Sequence, residues 1–236
     1  MNILSSIAVS LTAEQVSRSM DGQTQSSSFT GGIDTAIRRA EPLIQAVAAC
    51  RWMTVSAIGP GCLKIYSDTT REVITIKTGR RTDLWRFAER ILVSVITIGP
   101  HLDEAVRTLT RSRDLFGAYL LDCAGLAALW QAFAAVCSRA EKEARARNMG
   151  LGHLAGPGGV AGWPLDSQIT VCSLLPLEDI GVKVDELGVL HPLKSVSGLI
   201  PMGRNYKRET VGPACRYCQC RPTCHQRLQE REKTMG

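Results

Sequence analysis

This 236-residue sequence lacks the marks of export. No cationic segment leads into an apolar stretch and a cleavage site, and an odd count of nine cysteines does not suit a closed set of disulfides. A secreted disulfide framework is not expected, and a reducing, cytoplasmic location is. The chain also lacks a paired base, or a nucleophile with a partner at defensible spacing, so general acid–base chemistry is not indicated. Asp179, Asp185 and Glu186 read as residues of turns or caps. No internal repeat is present. The stretch from Gly117 to Cys137 is apolar, but it is rich in Ala and Gly and carries Asp122 and Gln131, so it reads as a buried helix and no membrane partner is expected. What remains is a chain with 44% hydrophobic residues and 21% charged ones, enough for a real core.

Four cysteines crowd into the run CRYCQCRPTC: Cys215, Cys218, Cys220 and Cys224. Thiols this close cannot all pair with one another without strain, because a disulfide requires a narrow Cβ separation and torsion. Soft sulfur ligands at such spacing suit an iron–sulfur cluster or zinc. The spacing C-x2-C-x-C-x3-C departs from the C-x2-C-x2-C of ferredoxins, so Cys220 is either the fourth ligand or a spare, with Cys62 or Cys50 as replacements or one iron left open. A closed zinc site takes four cysteines, or three with His225. From Gly203 onward eight basic residues face three acidic ones, a net +5 of the chain's +6. This is either a solvated tail or a cationic surrounding for an anionic thiolate cluster, and Arg216, Arg221 and Arg227 favour the iron–sulfur reading. The isolated Cys50, Cys62, Cys123, Cys137 and Cys172 read as small buried hydrophobes.

Along the chain, residues 1–32 read as a short strand and helix followed by a flexible Gly/Ser-rich connection. Asp34 is expected to cap a helix running to Cys50, with Pro42 inside it arguing for a kink or a later start. Strands are expected at Leu63 to Tyr66 and Val73 to Lys77, a helical patch at Leu84 to Arg90, and a central strand buried on both faces at Ile91 to Ile98. Helices follow at His101 to Thr110 and from about Asp114 to Asn148, the latter leaving the core where Arg139 to Arg147 alternates acid and base. Gly156, Gly158, Gly159 and Gly162 let backbone amides approach a ligand closely, and Ser195, Ser197 and Gly198 supply donors in a second loop; as bare composition these are equally tight turns.

The stretch 152–198 resembles the activation domain of cobalamin-dependent methionine synthase, in the form of the short stand-alone proteins related to it that accompany corrinoid methyltransferases. The resemblance is carried by Pro157 and Gly158, by Gly162-Trp163-Pro164 with Gln168, by Gly181-Val182, and by Pro192 with Lys194-Ser195-Val196-Ser197-Gly198. Upstream, Thr97-Ile98-Gly99-Pro100 and Leu121-Asp122 with Gly125 are similar in kind. It implies an α+β fold, a mixed or antiparallel sheet wrapped by helices, over residues 33–202; the small basic cysteine-rich metal appendage expected at 203–236 is an addition to that domain. It implies a ligand crevice formed by Pro157, Gly158, Gly159, Trp163, Lys194, Ser195, Ser197 and Gly198. The family's Arg-x-x-Pro-Gly-Tyr motif is altered here, with Leu154 at the Arg position and Gly159 at the Tyr position. Loss of the guanidinium removes a bidentate partner for a carboxylate, which argues against methyl donation from S-adenosylmethionine.

Three functions follow as expectations. The first is an accessory protein for reductive reactivation, docking on a cobalamin or corrinoid protein and delivering an electron to Co(II) from a tail cluster that an external donor recharges. The second is a remethylation subunit that binds S-adenosylmethionine. The third is a zinc-knuckle protein of nucleic acids, against which stands the shortage of rings, since Tyr217 is the only one between the clustered cysteines.

Overall fold

The computed structural model describes residues 2–4, 6–20, 30–212, 217, 218 and 220. Its centre is β5 (Arg90–Thr97), in which every residue after the first is buried, as the continuous apolar run ILVSVIT requires of a strand covered on both faces. β2 (Val47–Gly59) pairs with it along one edge and β9 (Ser195–Gly203) along the other, both antiparallel. Beyond β2 lie β3 (Cys62–Tyr66) and β4 (Val73–Lys77), and beyond β9 lies the short β6 (Gly150–Leu151). β1 (Asn2–Leu4) pairs with residues 48–50 of β2, end to end with β3 on the same edge. The seven strands are antiparallel throughout, which resolves the expected mixed-or-antiparallel sheet. A separate two-stranded ribbon joins β7 (Lys183–Val184) to β8 (Leu190–His191).

The pleat divides the apolar residues between two cores. Cys50 of β2, Leu92 and Ile96 of β5, and Ile200 and Met202 of β9 face one side; Met53, Ile91, Val93, Val95 and Leu199 face the other. The first side is covered by α1 (Ala13–Ser19), α2 (Thr30–Ala40), α3 (His101–Arg111) and α4 (Leu115–Ala146). α4 has 32 residues and is therefore about 48 Å long. Asp114 caps it, its Oδ1 accepting from the Gly117 amide at 2.9 Å. Its buried positions are largely alanines, including Ala124, Ala128, Ala132 and Ala140, so the helix lies close to its neighbours. It is long and apolar enough to cross a membrane by length and composition, yet 56% of its most apolar window is buried within the fold. The second side is covered by Trp85, α5 (Ser167–Cys172) and the turn Leu177–Ile180.

Several expectations are corrected. The helix expected from Asp34 to Cys50 is instead α2 ending at Ala40, a 3₁₀ turn at Glu41–Leu43 containing Pro42, and the start of β2. Proline's missing donor and fixed φ end the α-helix, and β2 gains its ladder from β5. The helical patch at Leu84 to Arg90 is instead the end of a 3₁₀ turn at Thr82–Leu84, a further non-helical turn over 85–89, and the first residue of β5. The charged end of α4 leaves the core later than expected: Ala140 and Ala144 remain buried between its charges and Glu141 accepts from the Val211 amide at 3.0 Å, and the exposed end is reached at residues 145–148. The glycines at 31 and 32, expected in a linker, lie in α2, while 21–29 fall outside the described residues.

Candidate functional site

The chain leaving β6 continues beside β9. The Gly152 amide donates to the Pro201 carbonyl, and Ala155 exchanges both hydrogen bonds with Leu199 at 3.1 and 2.8 Å. The loop then turns through residues 156–163, held by Gly159 N to Gly156 O, Trp163 N to Val160 O and Gly158 N to Trp163 O. Gly158 and Gly162 adopt φ of 71° and 79°, the left-handed region that glycine enters without a Cβ penalty.

The two segments expected to wall a crevice are thus brought together, but as neighbours in contact. A Cβ at Gly156 would sit 2.8 Å from the Ser197 carbonyl oxygen, and one at Gly198 would sit 2.6 Å from Leu154 Cδ1. Leu154, at the position of the family's arginine, packs its aliphatic end over Gly198. Pro157 is buried, Gly158 is half-buried and Gly159 is exposed. Trp163, expected to face ligand, is 2% exposed and meets Trp85 edge-on with ring centroids 5.6 Å apart, so its ring is part of the second core.

The polar candidates of β9 have partners within the fold. Ser195 Oγ donates to Thr97 Oγ1 at 2.9 Å. Ser197 Oγ donates to Gln168 Oε1 at 2.7 Å, and Gln168 Nε2 donates to the Gly188 carbonyl at 2.5 Å, so Gln168 ties β9 to the β7–β8 ribbon. Lys194 pairs with Asp122 of α4, the lysine side chain mostly buried and the carboxylate half-exposed.

The cysteine-rich segment returns to the same glycine loop. The Ala161 amide donates to the Tyr217 carbonyl at 2.9 Å, and Val160 forms an antiparallel bridge with Cys218. The Arg81 guanidinium lies over the Tyr217 ring, 4.6 Å from its centroid, and the His153 ring meets that ring edge-on at 5.4 Å. Arg81 is itself held by Asp83 through two hydrogen bonds of 3.0 and 2.9 Å, which raise the guanidinium's proton affinity. Asp83, with Thr82 and Arg86, also borders a surface concavity of about 500 Å³. Of the four cysteines proposed as metal ligands, Cys218 is half-buried and Cys220 is exposed; Cys215 and Cys224 lie outside the described residues. Among the described residues no group of three or more His, Cys, Asp or Glu side chains converges on one point.

The isolated cysteines follow expectation: Cys50, Cys123 and Cys172 are buried, and Cys62 and Cys137 are half-buried. Burial pushes the Cys50 thiol up to about 11, and those of Cys137 and Cys172 up to about 12.

Sequence reasoning missed Arg81 and Asp103, whereas Asp185, read as a turn residue, is one. Asp103, buried in the first turn of α3, accepts from the Leu193 amide at 2.6 Å. Asp185 accepts from the Leu187 and Val189 amides and contacts His191 Nε2 at 3.0 Å, and this set, led by His191, holds its carboxyl below the ordinary range. The Asp-x-x-Gly run at 185–188 was the legible signal for the turn; nothing local marks Arg81.

No protein-family model matches the chain, and no curated protein matches it either. Among solved structures it is similar to the crystal structure of the MetH reactivation domain bound to AdoHcy, with a TM-score of 0.56 and 17% identity over 88% of this chain and 80% of that one. The likeness shows the α+β fold: an antiparallel sheet with helices, as the resemblance implied.

Proposed function

We propose that this chain is an accessory reactivation protein for a cobalamin-dependent methyl-transfer system, acting in the cytoplasm. In this reading residues 33–202 dock on a corrinoid-carrying protein or methyltransferase, and the 203–236 appendage holds a redox metal centre through Cys215, Cys218 and Cys224, with Cys220 as the fourth ligand. Those cysteines would hold an iron–sulfur cluster, whose chemistry there would be supply of one electron to Co(II) of the partner's corrinoid, giving Co(I), with recharging by an external low-potential donor. The observation that carries the reading is the bridge between Cys218 and Val160, on a fold shared with the MetH reactivation domain. It sets a candidate metal ligand against the loop whose counterpart resembles the family's ligand segment.

Anaerobic purification followed by absorption and EPR spectroscopy tests the centre. A brown protein with a dithionite-reducible signal, lost on substitution of Cys215 and Cys218, is the expected result. A colourless protein with stoichiometric zinc overturns electron delivery, and strongly salt-dependent RNA binding by that zinc form would favour the nucleic-acid function.

A second reading makes the chain an S-adenosyl-ligand binder that transfers the sulfonium methyl to Co(I), forming methyl-Co(III) and releasing AdoHcy. It is favoured by the neighbour having been solved bound to AdoHcy. Leu154 over Gly198 and the bare Gly159 weigh against it, because they offer no charged partner for a ligand carboxylate. Calorimetry with AdoHcy separates the two, micromolar affinity supporting the second.

A further inference from the structure

We infer that Tyr217 anchors the cysteine-rich segment to the glycine-rich loop, with Arg81 and His153 clamping its ring, so that the neighbouring Cys218 is presented at a set position. The anchor stands on its own geometry; only the presentation of a metal ligand rests on the reading above.

Three separate stretches of chain converge on this ring. The first is the turn bearing Arg81. Both Arg81 Nε and Nη2 are engaged by Asp83, and the Tyr217 side chain also hydrogen-bonds the guanidinium, so its plane is fixed between the turn and the returning chain. The same turn touches the loop through Gly79, where a Cβ would lie 1.9 Å from the Gly162 carbonyl oxygen, a spacing only glycine permits. The second stretch is the loop itself, whose Ala161 amide binds the Tyr217 carbonyl and whose Val160 pairs with Cys218. The third is the returning chain. Residue 212 bridges to His153, and a Cβ there would come within 2.5 Å of His153 Nδ1, so Gly212 lets the backbone pass the imidazole that then meets Tyr217 edge-on.

The geometry suits a latch more than a core contact. A cation over the ring face and an imidazole at its edge are directional contacts, effective for a ring that stays half-buried. The backbone bond and bridge beside it fix the register of the chain, which ring contacts alone would not. A thiol held in place before metal arrives loses less freedom on ligation, so the latch should raise metal affinity without adding a ligand.

The test compares the full-length chain with Tyr217→Ala and Tyr217→Phe, reading amide hydrogen exchange at Ala161 in metal-free protein and Zn(II) affinity by competition with a chromophoric chelator. Tyr217→Ala is expected to lose protection at Ala161 and to weaken Zn(II) binding at least about tenfold at unchanged stoichiometry. Protection of β5 amides such as Val93 should be untouched, showing an intact fold. Tyr217→Phe keeps the ring but loses the phenol's bond to Arg81, and should retain most of both properties. Unchanged Ala161 exchange in Tyr217→Ala overturns the anchor, and loss in Tyr217→Phe equal to that in Tyr217→Ala overturns the ring clamp. Unchanged Zn(II) affinity overturns the presentation of Cys218. A wild-type chain that takes up neither zinc nor iron and sulfide sinks the metal-centre reading and that presentation with it, while Ala161 exchange still decides the anchor.

Discussion

Ser197 Oγ donates to Gln168 Oε1 at 2.7 Å, and both side chains are buried between β9 and α5. A hydroxyl that reads in sequence as a ligand donor is therefore occupied in joining two elements. Ser197→Ala leaves the Gln168 oxygen buried without its donor and is expected to cost about 1–3 kcal/mol. Urea denaturation measures this, and AdoHcy affinity, if present, should not change in the variant.

The Lys194–Asp122 pair makes a directional prediction. The lysine side chain is 14% exposed and the aspartate 48%, so the two ends are not equally hydrated. Asp122→Asn strands the more buried ammonium, whereas Lys194→Met removes it and leaves a carboxylate that water still reaches. Asp122→Asn is expected to destabilise by about 1–2 kcal/mol, and Lys194→Met by less. The reverse order in thermal unfolding contradicts this assignment.

Gly79 and Gly162 both have positive φ, 65° and 79°, but differ in surroundings. A Cβ at Gly79 meets backbone atoms at 1.9 and 2.5 Å, while at Gly162 nothing lies within 4 Å. Gly162→Ala should cost only the left-handed penalty of about 1–2 kcal/mol. Gly79→Ala must move the loop, and is expected to lower the melting temperature further and to expose Trp163 to fluorescence quenchers.

Alkaline pH should destabilise the protein through its buried thiols. Cys50, Cys137 and Cys172 are raised from 9.0 to about 11, 12 and 12, chiefly by burial. Below pH 9 they are protonated in both the folded and unfolded chain and contribute no pH dependence. Above it the unfolded chain loses protons that the folded chain keeps, so stability falls as pH rises from 9 toward 11. Tyr206, whose phenol is also raised by burial, adds in the same direction. Urea midpoints at pH 8, 9 and 10 should fall in that order, and a flat profile would show that these thiols are hydrated. At pH 8 all three should resist alkylation until denaturant is added.

Much of the scaffold was legible in local pattern. The run at 91–98 is too apolar for any strand but a doubly covered one, and β5 is that strand. The alanine-rich stretch with Asp114 before it gave α4 nearly to the residue. The failures lie where long-range pairing overrides local signals. Val47 to Cys50 carries helix-compatible alanines at 48 and 49, yet pairing with β5 makes it strand. The alternating charges at 139–147 hide two alanines that the helix turns inward. At the candidate site the glycines read as room for a ligand, whereas Gly156 lies against the Ser197 carbonyl and Gly198 against Leu154.

The sequence by itself determined the two-faced sheet, the long helix and a cysteine-rich end apart from the buried thiols, because these depend on periodicity and residue type. Only the tertiary structure decided the partners. Trp163 turns inward to Trp85, and Ser197 and Lys194 are spoken for by Gln168 and Asp122. Tyr217 returns to meet Arg81, a residue 136 positions earlier in the chain. Contacts of such span are fixed by how the sheet edges and loops are stacked, and no local pattern encodes them.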